Sequence, residues 1–212
     1  MDQGLILMDI KTVPYGPLGS NMYIIMDPAG LIIIDPSVAP DSSFVARKIG
    51  DRSVSEVRAI LMTHAHFDHT KCLDAWVEAT GAPAYISADD KAILSSDFYN
   101  CSAMMDTPLS FKTVPSKLPE HLDLLGYSIR VIPTPGHTSG SVCFLFENEN
   151  VLFSGDTLFA GSIGRSDLPD GNARKLAESL ALLGSLPEDI VVYPGHGYHT
   201  TIAIEKKTNP YM

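Results

Sequence analysis

Short apolar runs recur along the chain, separated by turns rich in Gly, Pro and Asp. The β-branched runs at 5–10, 22–27 and 31–35 predict strands. Pro28-Ala29-Gly30 between the last two predicts a tight turn, and so a hairpin. Residues 44–49 predict a helix, with Asp41 or Ser42 as its N-cap. The apolar run 57–62 predicts a buried strand that leads straight into a histidine-rich segment. Helical spacing over 73–79, closed by Gly81, predicts a further helix. A short strand at 84–86 and a helix at 89–94 follow. Residues 95–118 carry Met104, Met105, Pro108 and Pro115 with no period, and read as an irregular insertion.

Strands resume at 127–132, 141–146 and 151–153. Residues 161–171 form a Gly-rich polar loop, 173–183 an amphipathic helix, 190–193 a last buried strand, and 199–207 a short helix. Strands thus precede, alternate with and follow helices. With no linker or composition shift between them, an α/β (α+β) chain with two β-rich halves in a single domain, 1–212, is expected.

Composition changes this picture little. The chain has 212 residues, 45% hydrophobic and 19% charged, within the range of ordinary globular proteins. Its net charge of -10 repels phosphate backbones, which argues against nucleic acid as a partner. No window approaches the ~20 apolar residues of a membrane span. The first residues lack the basic and apolar regions of a signal peptide, so a cytoplasmic location is the default expectation. Cys72, Cys101 and Cys143 are odd in number and form no C-x-x-C pair, which favours buried free thiols over disulfides or a zinc ribbon.

The histidines change the picture most. His64, His66 and His69 follow the strand at 57–62, His137 the strand at 127–132, and His196 the strand at 190–193. Asp156 follows the strand at 151–153. If these strands share one orientation, their ends meet along one rim. In extended backbone, residues i and i+2 point to the same side, so His64 and His66 can grip one ion together. Asp68 and His69 fall where the chain turns into a helix and can aim at a second. Buried without a cation, such a cluster is costly. Imidazole and carboxylate ligands suit zinc, with iron or manganese as alternatives. The glycines before Asp156, His137 and His196 permit sharp turns. His121 and His199 read as ordinary polar residues.

Thr63-His64-Ala65-His66-Phe67-Asp68-His69, Pro135-Gly136-His137-Thr138, Ser154-Gly155-Asp156-Thr157 and Pro194-Gly195-His196-Gly197 resemble, in order, the metal motifs of the metallo-β-lactamase superfamily. Gly155-Asp156-Thr157-Leu158-Phe159 and Ser162-Ile163-Gly164-Arg165-Ser166-Asp167 are similar to its short glyoxalase-II-like branch, and so to hydroxyacylglutathione hydrolases. The resemblance implies a four-layer αββα sandwich of two mixed β-sheets flanked by helices, with two divalent metal ions at one edge. It assigns His64, His66 and His137 to the first metal, Asp68, His69 and His196 to the second, and Asp156 to a bridge. It implies a metal-dependent hydrolase acting on a small-molecule thioester such as S-lactoylglutathione, by attack of a metal-bound hydroxide. Asp68 and Asp156 carry the catalytic expectation. Arg165 and Tyr198 stand at positions that contact glutathione in those enzymes.

Two departures accompany the match. The C-terminal helical glutathione-binding domain is expected to be lacking after Met212, and Asp167 replaces an aromatic residue of the loop. Persulfide dioxygenases, with one iron held by His64, His137 and Asp156, are the alternative, together with lactonases and other ester hydrolases of the same fold.

Overall fold

In the computed structural model, residues 8–212 are described. The expected strand at 5–10 lies partly outside them, and the first strand seen, β1, spans Asp9–Tyr15. It opens a six-stranded mixed sheet, in spatial order with β2 (Ser20–Asp27), β3 (Gly30–Ile34), β4 (Val57–Leu61), β5 (Ala84–Ile86) and β6 (Ser116–Lys117). The hairpin β2–β3 pairs Asp27 with Gly30, and the next three pairings are parallel. The second six-stranded sheet runs β14-β13-β10-β9-β8-β7. Its members are β7 (His121–Leu124), β8 (Tyr127–Pro133), β9 (Val142–Phe146), β10 (Val151–Gly155), β13 (Val191–Pro194) and β14 (Thr200–Thr201). A small hairpin, β11 (Leu158–Phe159) and β12 (Ser162–Ile163), lies beyond β10.

The period-2 pattern of the strands builds four layers. In β2 and β3, Met22, Ile24, Leu31 and Ile33 face outward, under α1 (Ser43–Ile49), α3 (Leu73–Thr80) and α4 (Asp90–Leu94). Their alternates Tyr23, Ile25, Ile32 and Ile34 face the other sheet, packing in one cluster with Ile129, Val131, Phe144, Phe146 and Phe153. On the far side Ile132, Cys143, Leu145 and Leu152 meet Leu176, Leu180 and Leu183 of α5 (Ala173–Gly184) and Ile202 of α6 (Ile202–Thr208). The fold is therefore a four-layer αββα sandwich. Each fully buried aliphatic or aromatic side chain in these layers contributes about 1.5–3 kcal/mol.

The differences from expectation are local. Strand β1 runs on through Thr12 and Pro14, which an edge strand tolerates and apolar alternation cannot reveal. The polar loop at 161–171 yields its first residues to β12. Residues 95–118 hold one 3-10 turn, Ala103–Met105, and are tied down by polar contacts instead of periodic packing. Asn100 is buried and donates to the carbonyls of Leu94 and Leu109, while Asp74 accepts from the amides of Lys112 and Thr113. Among the described residues no helix is long and apolar enough to cross a membrane.

Candidate metal centre

The parallel pairings β3–β4 and β10–β13, with β8 antiparallel to β9 and β9 to β10, give these strands a common direction within each sheet. Their C-terminal ends carry the chemistry. Asp35 follows β3, and His64 and His66 follow β4. The short helix α2 (Phe67–Thr70), which opens directly after His66, carries Asp68 and His69. His137 follows β8, Asp156 follows β10, and His196 follows β13.

The seven expected residues converge on one rim. His64, His66 and His137 offer ligand atoms within 4.8 Å of one another, as do Asp68, His69 and His196. In the second group the separations are nearly equal. His69 Nε2 lies 3.3 Å from His196 Nε2. Each of these nitrogens lies 3.5 Å from Asp68 Oδ2. Asp156 lies 3.4 Å from His69 Nε2 through Oδ1 and 3.4 Å from His196 Nε2 through Oδ2. These contacts exceed the ~2.7–2.9 Å of charge-assisted hydrogen bonds. Donors at 2.0–2.1 Å from one divalent ion would stand about 3.3 Å apart, close to the spacing among His69, His196 and Asp68. Asp156 Oδ2 is also 3.4 Å from His137 Nε2, so one carboxylate reaches both groups.

The imidazoles are set for this by their outer nitrogens. His69 Nδ1 faces Asp35 Oδ2 at 3.1 Å, His137 Nδ1 the Arg165 carbonyl at 2.7 Å, and His196 Nδ1 the Leu18 carbonyl at 3.0 Å. His64 Nδ1 lies 3.0 Å from Thr63 Oγ1, whose own hydrogen goes to Asp35. A proton pinned on each Nδ1 leaves the Nε2 lone pair facing the centre. His66 is reversed, with Nδ1 facing His137 Nε2 at 2.8 Å. Buried His64 Nε2, His66 Nε2 and Asp156 Oδ1 have no hydrogen-bond partner. Orphaned donors and acceptors of this kind are costly unless a cation satisfies them, so the cluster is suited to divalent metals.

Charge supports the fit. Burial pushes His64 well below its ordinary value and His66 down to about 3, so both are neutral, the ligating form. Burial works against the charge of Asp68 and Asp156, but His69 and His196 outweigh it and hold both carboxyls below the usual range. The same carboxylates overcome burial at His69, raised to about 9, and at His196, raised to about 10.

Two buried carboxylates absent from the sequence expectation organise the rim. Asp35 also sits within ligand distance of His64 and His69. Its oxygens are nevertheless committed to the Thr63 amide, the Thr63 hydroxyl (both 2.7 Å) and His69, so it orients ligands instead of joining them. Asp90 accepts from the Ala65 amide at 2.7 Å, the Gly140 amide at 2.8 Å and the Thr138 hydroxyl at 3.0 Å. It thereby ties the loop of His64 and His66 to the loop of His137. An Asp at a strand end or helix start resembles a turn or cap residue, and carries no signal of these long-range bonds.

The glycines play different parts. Gly155 has φ 48°, a left-handed turn that aims Asp156 at the rim. Gly195 is required for room: a Cβ there would lie 2.0 Å from Asp156 Oδ1. Gly195→Ala is expected to displace that carboxylate, and metal affinity should fall at least as far as on losing an orienting partner, roughly 10–100-fold. Metal titration checks this, with circular dichroism confirming the fold. Wild-type affinity in the variant would contradict it.

The cluster floors a cleft of about 470 Å³ that Arg165 also lines. The Arg165 side chain pairs with both oxygens of Asp167, at 2.8 and 3.0 Å. Tyr198 is not brought to this cleft. It is 85% exposed and lines a separate depression with Tyr193, His199 and Lys48. The turn at Gly197 (φ 78°) separates it from His196. Cys101, Met104 and Met105 of the irregular insertion do line the cleft.

A family model described as the metallo-beta-lactamase superfamily matches residues 15–196. A probable metallo-hydrolase of Streptococcus pyogenes is 36% identical, over 98% of this chain and 91% of its own length. The hydroxyacylglutathione hydrolase GloC of Haemophilus influenzae is 29% identical, over 97% of this chain and 98% of its own. The crystal structure of the B3 metallo-beta-lactamase BLEG-1 matches with TM-score 0.88 and 32% identity, covering 96% of this chain and 99% of that one. That of TTHA1623 in a di-iron-bound form matches with TM-score 0.83 and 35% identity, covering 95% and 100%. With one family model spanning most of the chain and its strand-end motifs gathered on a single rim, this protein belongs to the metallo-beta-lactamase superfamily.

Proposed function

We propose that this metallo-hydrolase cleaves a thioester, with S-lactoylglutathione as the reference substrate, and that it works with two divalent ions, zinc before iron or manganese. His64, His66 and His137 would hold one ion, Asp68, His69 and His196 the other, and Asp156 both. Divalent ions so placed lower the pKa of water to ~7 and polarise a carbonyl oxygen.

The observation that carries the reading is the lining of the cleft. Apart from the proposed ligands, the only titratable side chains there among the described residues are Cys101 and Arg165. Burial pushes the Cys101 thiol up, and its pairing with Asp167 raises Arg165 further. Both shifts move away from the near-neutral range that suits a general acid. A leaving group must therefore depart without a general acid, which suits a thiolate, of pKa ~8.5, far better than an alkoxide or amine. Asp68 and Asp156 contribute the negative charge that offsets a dication pair. The Arg165 carbonyl fixes His137, so the cleft wall and the ligand shell move as one.

The test is elemental analysis of the purified protein, followed by turnover assays on the same sample. The panel holds S-lactoylglutathione, a lactone, a β-lactam, and glutathione persulfide with oxygen monitoring. The expected result is two ions per chain and thioester hydrolysis that a chelator removes and zinc restores. One iron per chain with oxygen uptake, or faster lactone or β-lactam turnover, overturns the reading.

A further inference from the structure

We propose that the substrate of this cleft carries a large, uncharged apolar group, and that glutathione is not the moiety the cleft is built to hold. The inference rests on the thioester reading and narrows its substrate class.

The walls carry it. Leu18, Met104, Met105, Phe159, Ile163 and Leu168 surround the opening above the cluster. Met104 and Met105 sit side by side on the 3-10 turn Ala103–Met105 and are about half exposed, at 54% and 42%. Leu18 on the opposite loop is 49% exposed. Large apolar side chains grouped around a catalytic opening lose this exposure when an apolar ligand covers them. Methionine is unbranched and polarizable, so the pair can fit apolar groups of differing shape.

Charge points the same way. Glutathione presents two carboxylates, which call for cationic or dense hydrogen-bonding partners. Among the described residues Arg165 is the only Lys or Arg lining the cleft, and Asp167 already occupies it with two bonds. Tyr198 is turned away into the other depression. The net charge of -10 adds a long-range penalty for an anionic substrate. An uncharged alkyl chain meets none of these obstacles.

The experiment uses acetyl, butyryl, hexanoyl and octanoyl thioesters of N-acetylcysteamine, an uncharged thiol, with the metal-loaded protein. Expected is a rise in kcat/KM of about fourfold per added methylene until the cleft is filled. The octanoyl compound should exceed S-lactoylglutathione. Met104→Gln combined with Met105→Gln should flatten the slope, and since both residues are half exposed the double variant keeps its fold. Independently, S-octyl-N-acetylcysteamine, which cannot be hydrolysed, should bind the metal-free protein roughly tenfold or more tighter than the S-butyl analogue by calorimetry. A flat chain-length series, equal binding of the two analogues, or preference for S-lactoylglutathione overturns the inference. If no thioester is turned over, the thioester reading fails, and the binding comparison still decides the apolar preference.

Discussion

Replacing Asp156 by alanine is expected to lower kcat/KM by roughly 10³-fold or more, the equivalent of several kcal/mol of transition-state stabilisation. The carboxylate reaches both ligand clusters, with Oδ2 3.4 Å from His137 Nε2 and 3.4 Å from His196 Nε2. Its Oδ1 is buried without a hydrogen-bond partner, so its place in the fold is not secured by backbone contacts that the substitution would break. The variant should therefore fold. What it should lose is the ability to hold two ions, together with the rise in Tm that added zinc brings to the wild-type protein through binding to the folded state. Metal analysis and thermal melts with and without zinc read both effects. An alanine variant that kept two ions and the wild-type rate would remove Asp156 from the centre.

Asp35→Ala should have the next largest effect, and should act on stability as well as on metal. The carboxylate is buried and accepts three hydrogen bonds, from the Thr63 amide, the Thr63 hydroxyl and His69 Nδ1. Alanine leaves those donors buried and unpaired, at about 1–3 kcal/mol each. It also occupies φ 55°, a left-handed conformation that costs an alanine roughly 1–2 kcal/mol. Overlap between these effects leaves an expected loss of about 3 kcal/mol or more, read from denaturant unfolding of the metal-free protein. Metal affinity at the His69 group should fall roughly 10–100-fold, because the imidazole loses the partner that fixes its proton on Nδ1. Asp35→Asn should not rescue it. An amide must turn its NH₂ towards a site that already holds an N–H or O–H donor. Wild-type stability and affinity in the asparagine variant would show that the geometry around Asp35 matters less than its hydrogen bonds suggest.

The irregular segment at 95–118 acquires a role from these arguments. Its lack of period reflects a stretch held by pairs of polar bonds from Asn100 and Asp74, with Cys101, Met104 and Met105 delivered to the cleft. Loops positioned by a rigid scaffold commonly set selectivity in this way.

Much of the chain could be read without coordinates. The strands that face helices on one side and the partner sheet on the other read as short continuous apolar runs, because both of their faces are buried. His64, His66, Asp68 and His69 were legible because they are close in sequence, where extended backbone passing into a helix fixes their relative directions. His137, Asp156 and His196 could be placed at strand ends, but their meeting depended on the parallel pairing of β10 with β13 and on the stacking of the two sheets. Asp35 and Asp90 escaped notice because the donors they accept from lie 25 to 50 residues away in sequence. Tyr198 is the converse case: it stands two residues from His196, yet the Gly197 turn sends it into another depression. Sequence by itself determined the strands, their two β-rich halves and the kinds of ligand. Tertiary structure alone decided the spacing of the ligand atoms, the buried acceptors that hold their tautomers and the apolar walls above them, since each depends on distances between segments that no local pattern encodes.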